Sequence, residues 1–268
     1  MMKNKIIQTD TIVYSVYQNH FFMNLFRFFL PLTITLIASD LSTSLAQNIT
    51  DDKGFAVVEL FTSEGCSSCP AAEKALSRLH DEYKDVCFLE FHVDYWNYLG
   101  WKDEYSNKTY TKRQQDYAQT FGLNSTYTPQ AIVNGNKEMV GSDNNKLQNA
   151  IQQSLKHKQS VKLEIKAVST GKSLTVSYNV GEVDGLLNIA LVQLHAETDV
   201  KRGENSGRKL THTNVVRVFK TIPIEKGQSN VVIELPDGLS KNDCHIIGYL
   251  QKNGDGEILT AKEIKIDM

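Results

Sequence analysis

Cys66 and Cys69 are the residues best equipped for chemistry, with two residues between them in Thr62-Ser-Glu-Gly-Cys-Ser-Ser-Cys-Pro70. An apolar, β-rich run at residues 55–61 precedes them. A helical pattern follows, with Ala72, Ala75, Leu76, Leu79 and Tyr83 recurring on one face. The pair therefore falls at a helix N-terminus, where unpaired amides and the helix dipole favour thiolate, the attacking species, over thiol. Pro70 suits the first helical turn, where its missing N–H costs nothing. Cys66, expected to be the more exposed thiol, is assigned as nucleophile, and Cys69, one turn into the helix, as the resolving thiol. Ser67 and Ser68 bring no cation and Glu64 opposes the thiolate, so Cys66 is expected to be moderately acidic rather than extreme.

Other uses of the pair need other residues. A zinc site takes about four ligands. Cys87 and Cys244 stand alone and no His follows at ligand spacing, so no metal ligand is assigned. The two isolated cysteines read as buried, inert thiols. A permanent structural disulfide and a thiolate carrier for Cu(I) remain as alternatives.

The elements around the pair alternate. After the Cys-bearing helix comes a nearly continuous apolar run at 86–93, the mark of a strand covered on both faces. An aromatic loop (Tyr95, Trp96, Tyr98, Trp101), a helix over 108–121, two short strands around Asn134-Gly-Asn136 and a last helix from Ser142 follow. The order β-α-β-α-β-β-α is that of the thioredoxin fold. Beyond His157 the pattern turns to strict alternation, with runs at 161–167, 174–180, 186–196, 214–222, 229–235, 243–251 and 258–266. These read as an antiparallel β-sandwich. The expected fold class is thus an α/β thioredoxin-like domain at 53–157 followed by an all-β sandwich-like domain at 160–268.

Residues 1–46 read as a secretory signal region. An apolar core of about ten residues follows Arg27, too short to span a bilayer. Ser44-Leu-Ala46 forms a peptidase site, with cleavage expected after Ala46 and the true start expected at Met23. No stable membrane anchor is expected after cleavage, and the mature chain is placed in a secreted or periplasmic setting. A net charge of −2 with mixed signs leaves no nucleic-acid footprint.

Four motifs carry a family resemblance: Val58-Glu-Leu-Phe-Thr-Ser-Glu-Gly-Cys-Ser-Ser-Cys-Pro70; Phe91-His-Val-Asp-Tyr-Trp96 with Gly100-Trp-Lys-Asp103; Tyr127-Thr-Pro-Gln130; and Arg202-Gly-Glu-Asn-Ser-Gly207 with Leu210-Thr-His-Thr-Asn-Val-Val-Arg217. Over residues 53–268 the chain resembles a secreted, two-domain thioredoxin-like family of unknown function. The resemblance implies a cis bond at Thr128–Pro129, facing the cysteines and offering backbone groups to a peptide. Glu59, an acid in an apolar strand, is a candidate proton relay beneath Cys69, one residue out of the usual register. Asp94 lies at the strand end where ligands of open sheets gather, and Trp96 is a candidate wall beside the thiols. His92 reads as a satisfied core residue. Residues 197–213 read as a long irregular loop. Its Arg202, Glu204 and Arg208 are expected to fold back toward the cysteines and join Thr128, Trp96 and Asp94 in binding substrate.

The function expected is thiol–disulfide exchange with a protein partner, needing no dissociable cofactor because the electrons reside on the cysteine pair. The main rival is a binding module with a structural Cys66–Cys69 bond.

Overall fold

The computed structural model describes residues 54–224 and 227–268. The signal region, its start at Met23 and its cleavage point lie outside the described residues. In chain order the elements are β1 (Ala56–Thr62), α1 (Cys69–Glu82), β2 (Val86–His92), α2 (Lys108–Thr120), β3 (Gln130–Val133), β4 (Lys137–Val140) and α3 (Asn144–Ser154). Then come β5 (Leu163–Thr170), β6 (Ser173–Val180), β7 (Gly185–Asp199), β8 (Lys209–Pro223), β9 (Gly227–Glu234), β10 (Cys244–Lys252) and β11 (Ile258–Lys265).

Local chemistry accounts for these elements. β1 and β2 are buried at every position, as expected of apolar runs covered on both faces. Pro70 sits in the first turn of α1. Asn107 caps α2 by accepting from the Thr109 amide, and Asp143 caps α3 by accepting from Lys146. β5 alternates buried and exposed residues along its first six positions, the pattern of a strand with one wet face.

The expected fold class is overturned. The strands of both halves join one mixed eight-stranded sheet, in the order β11-β10-β7-β8-β2-β1-β3-β4. A three-stranded sheet, β5-β6-β9, packs against it. The protein is therefore mostly β, and not a thioredoxin-like α/β domain followed by a sandwich. The cause is the outer edge of β2. The long β7–β8 hairpin covers it, with β8 running parallel to β2 and Val215 opposite Glu90. Two side chains strengthen the seam: Asn214 donates to the Phe88 carbonyl, and Glu90 accepts from the Thr213 amide. An uncovered edge of unpaired amides and carbonyls invites such pairing.

One core runs along the α2 face of the large sheet, from Val57 and Phe61 through Phe91 and Tyr117 to Tyr249 and Ile258. On the opposite face α1 and α3 cover β1, β3 and part of β2. Farther along that face, β5-β6-β9 covers β7 and β10.

Candidate functional site

Cys66 and Cys69 form a disulfide, their Cα atoms 5.4 Å apart. The Cys66 amide donates to the Ser63 carbonyl and the Cys69 amide to the Cys66 carbonyl, a turn that feeds directly into α1. Ser67 and Ser68 face solvent. The cysteines do not: Cys66 is 1% and Cys69 0% exposed. The expectation of an exposed Cys66 is therefore corrected.

The cover comes from the other end of the chain. Residues 197–199 and 209–213, expected to be irregular, extend β7 and β8, so the loop contracts to 200–208. Glycines with positive φ at 203 and 207 bend it sharply. The buried Asn205 side chain donates to the carbonyls of Glu64 (2.8 Å) and Cys66 (2.9 Å). Glu204 accepts from the Ser67 amide, and Arg208 donates to Asn205 Oδ1. Hydrogen bonds from the Ser67 hydroxyl and amide hold the Glu204 carboxyl below its ordinary range. Arg202 points to solvent.

Beside the disulfide, Gly65 lies against Trp96, so closely that a Cβ would sit 2.9 Å from the Trp96 Cβ. The Trp96 indole donates to Thr128 Oγ1 at 2.8 Å. The Thr128–Pro129 bond is cis. Trp96 and Thr128 thus form one contact chain leading from the cysteine turn. Asp94 belongs elsewhere: its carboxylate accepts from Thr111 and ties β2 to α2.

Glu59 is also corrected. Its carboxylate takes a bidentate pair from Arg113 (2.9 and 3.0 Å) and hydrogen bonds from Tyr117 and Tyr249. Those partners lie on α2 and β10, on the face of the sheet away from α1 and Cys69. Burial alone would lower the Arg113 pKa, but Glu59 beside it outweighs that and raises it. Glu59 is a structural charge partner, not a relay to the thiols. A groove of about 510 Å³ opens along Arg113, Phe219 and Gln251, on that same face.

Beneath the first turns of α1 lies a buried ionisable cluster: Glu64, Glu73, Glu90, Asp103, His92 and His212, none more than 3% exposed. Glu73 follows Cys69 by one helical turn. It accepts from Thr62 and pairs with His212 Nδ1 at 3.1 Å. His92 Nδ1 meets Asp103 at 2.7 Å. The two imidazoles pack edge to face, centroids 4.9 Å apart, with Tyr105 against both. Glu64 takes the Trp101 indole at 2.6 Å. Burial alone would push the His212 pKa down, yet Glu64 and Glu73, with Glu90 behind them, raise it to about 11. Burial, then the Glu73 charge, raises Glu90 well above the usual carboxylate range. Burial also opposes ionisation of Asp103, but His92 outweighs it and lowers that pKa.

His92 is therefore not merely a satisfied core residue, since its Nε2 is buried with no partner among the described residues. Glu73, Glu90 and Asp103 were missed as site residues. The signal was present for two of them: Glu73 interrupts the apolar face of α1, and Glu90 sits inside the apolar run of β2. A buried acid needs a partner. Cys87 and Cys244 are buried and free, as expected. No helix among the described residues is long and apolar enough to cross a membrane.

The fold and this site can be set beside known proteins. The chain is similar to a protein of Agrobacterium tumefaciens of known crystal structure, at 31% identity and a TM-score of 0.60. That match covers 78% of this chain and 93% of the other. It is similar in fold to HBP35 of Porphyromonas gingivalis, at 18% identity and a TM-score of 0.52, covering 80% of this chain and 76% of that one. No curated protein matches the sequence. The family model described as "Protein of unknown function (DUF1223)" matches residues 57–251, and the chain belongs to that family.

Proposed function

We propose that the protein exchanges electrons with a partner protein through Cys66 and Cys69, outside the cytoplasm. The observation that carries this is the closed disulfide at the start of α1. The amides there stabilise a thiolate once the bond opens. A disulfide persists in a secreted or periplasmic setting, which fits the short apolar segment and the Ser44-Leu-Ala46 site near the chain start.

In the direction of reduction, a partner thiolate attacks Cys66 Sγ, the Cys66–Cys69 bond breaks, and Cys69 leaves as thiolate and takes a proton. A second partner thiol then attacks the mixed disulfide and releases Cys66. Two electrons and two protons pass from the partner dithiol to the cysteine pair, and the partner becomes a disulfide. The opposite direction runs the same steps in reverse. Trp96 and Thr128, with Pro129, supply the surface beside the pair on which a client chain would rest. Glu204 and Arg208 act through the loop that covers the bond.

Burial of both cysteines favours the rival, a structural disulfide in a binding module, and one experiment separates the two. The purified chain is equilibrated in glutathione and dithiothreitol buffers, quenched with an alkylating reagent and weighed. A reversible two-electron couple between about −270 and −120 mV supports exchange. A bond that stays oxidised below about −300 mV refutes it and leaves the structural role. A Cys69→Ser variant is expected to trap the client as a mixed disulfide on Cys66.

A further inference from the structure

The ionisable cluster beneath α1 has more donors and acceptors than its own members can satisfy. Among the described residues, His92 Nε2 and Glu90 Oε1 are buried without a hydrogen-bond partner, and His212 Nε2 and Glu64 Oε1 meet only each other, as an ion pair at 3.4 Å. Changing protonation does not cure this. A neutral His92 leaves Nε2 as a bare acceptor, and a protonated one leaves it as a donor with no acceptor among the described residues. Each such group costs about 1–3 kcal/mol, so a cluster with several calls for something that satisfies them together.

The two imidazoles are arranged alike. Each carries a carboxylate on one ring nitrogen, Asp103 at 2.7 Å from His92 Nδ1 and Glu64 at 3.4 Å from His212 Nε2, which leaves His92 Nε2 and the Glu73-facing Nδ1 of His212 for an ion. A carboxylate on the far nitrogen is the usual outer support of a metal-bound histidine, where it fixes the tautomer and raises ligand basicity. Glu73, His92 and His212 each offer a ligand atom, all within 4.8 Å of one another. Two of these atoms, Glu73 Oε2 and His212 Nδ1, lie 3.1 Å apart. Two ligands each about 2.1 Å from a tetrahedral zinc ion sit roughly 3.4 Å apart.

We propose that Glu73, His92 and His212 bind one divalent transition-metal ion of the zinc class, with Glu64 supporting His212 from its far nitrogen. Asp103 is the positioning residue for His92. Two imidazole nitrogens with carboxylate oxygens suit zinc, and no thiolate takes part. The ligands come from α1, β2 and β8. The ion would pin the Cys-bearing helix to the seam where the β7–β8 hairpin joins β2. The proposal is independent of any redox role for Cys66 and Cys69.

The test uses the full chain, stripped with chelator, given zinc and passed through a desalting column. Metal analysis is expected to find one zinc per chain, and thermal unfolding is expected at higher temperature with zinc than without. His92→Ala and His212→Ala are expected to lose the zinc. Asp103→Asn is expected to weaken binding by about 10- to 100-fold, and the Cys66→Ser/Cys69→Ser double variant to keep it. Should the histidine variants fail to fold, cobalt(II) added to the stripped wild-type chain gives a separate reading. The visible bands of four-coordinate cobalt, without thiolate charge transfer, support the site. Absence of retained zinc and an unchanged aqueous cobalt spectrum in the wild-type chain overturn it. So does zinc retained equally by folded His92→Ala and His212→Ala.

Discussion

Asn205→Ala is the sharpest probe of how the disulfide is covered. The Asn205 amide donates to the Glu64 and Cys66 carbonyls at 2.8 and 2.9 Å, inside a fully buried contact. A neutral hydrogen bond contributes about 1 ± 0.5 kcal/mol, so losing these two alone weakens the closed loop by about 1–3 kcal/mol, and the bond from the exposed Arg208 to Asn205 Oδ1 goes with them. If a reductant reaches Cys66 only when residues 200–208 lift, the open fraction and the reduction rate rise together, by roughly 5- to 150-fold. The assay is reduction by excess dithiothreitol, stopped by alkylation at timed intervals and read by mass. Asn205→Asp, which keeps the shape but sets a carboxylate against two carbonyls, is expected to open the loop at least as far. Global unfolding is the competing route to the bond. Arg113→Met separates the two routes, because it destabilises the opposite face of the sheet without touching the loop. A rate unchanged within about twofold in Asn205→Ala, or an equal acceleration in Arg113→Met, refutes the covering argument.

Other outcomes follow from the same structure. Arg113→Met leaves the fully buried Glu59 with only tyrosine partners, at a cost of about 3–5 kcal/mol; thermal unfolding by circular dichroism is expected to fall by roughly 6–20 °C. Gly65→Ala drives a methyl into the Trp96 Cβ; overpacking of this kind costs about 1–3 kcal/mol, and the unfolding midpoint in denaturant is expected to drop accordingly. After mild reduction, iodoacetamide is expected to label Cys66 and Cys69 in the native protein and spare the other two. Burial raises the Cys87 and Cys244 thiols, the latter to about 11, and peptide mapping that finds either one labelled as fast as Cys66 contradicts the assignment.

Much of the secondary structure could be read from local pattern, because local pattern is what sets it. The apolar runs of β1 and β2, the helical face behind Pro70 and the alternation of β5 and β6 each reflect burial that repeats with the element's own period. The cysteine pair at the start of α1 was legible for the same reason. The limits of β7 and β8 were not. Residues 197–199 and 209–213 are rich in charged and polar side chains, and they become strands through pairing across the β7–β8 hairpin, which no local window records. The fold class failed beside this point: β8 pairs with β2 at Val215 and Glu90, which merges two expected domains into one sheet.

The ionisable cluster marks the same boundary in chemical terms. Residue types and spacing along the chain were enough to place two thiols at a helix start, since both come from one short segment and a single helical turn sets their separation. They were also enough to flag an acid in an apolar strand at Glu59, but not to say which face it takes or that Arg113 awaits it there. Glu64, Glu73, His92, Asp103 and His212 are spread over some 150 positions, and each alone reads as a surface acid or a core histidine. Only the docking of α1 on the β1-β2-β8 seam, and the return of residues 200–208 over Cys66, bring them together out of water. Dehydration then turns scattered polar groups into a site, because a charge or a bare nitrogen that costs little in solvent must find a partner once it is buried.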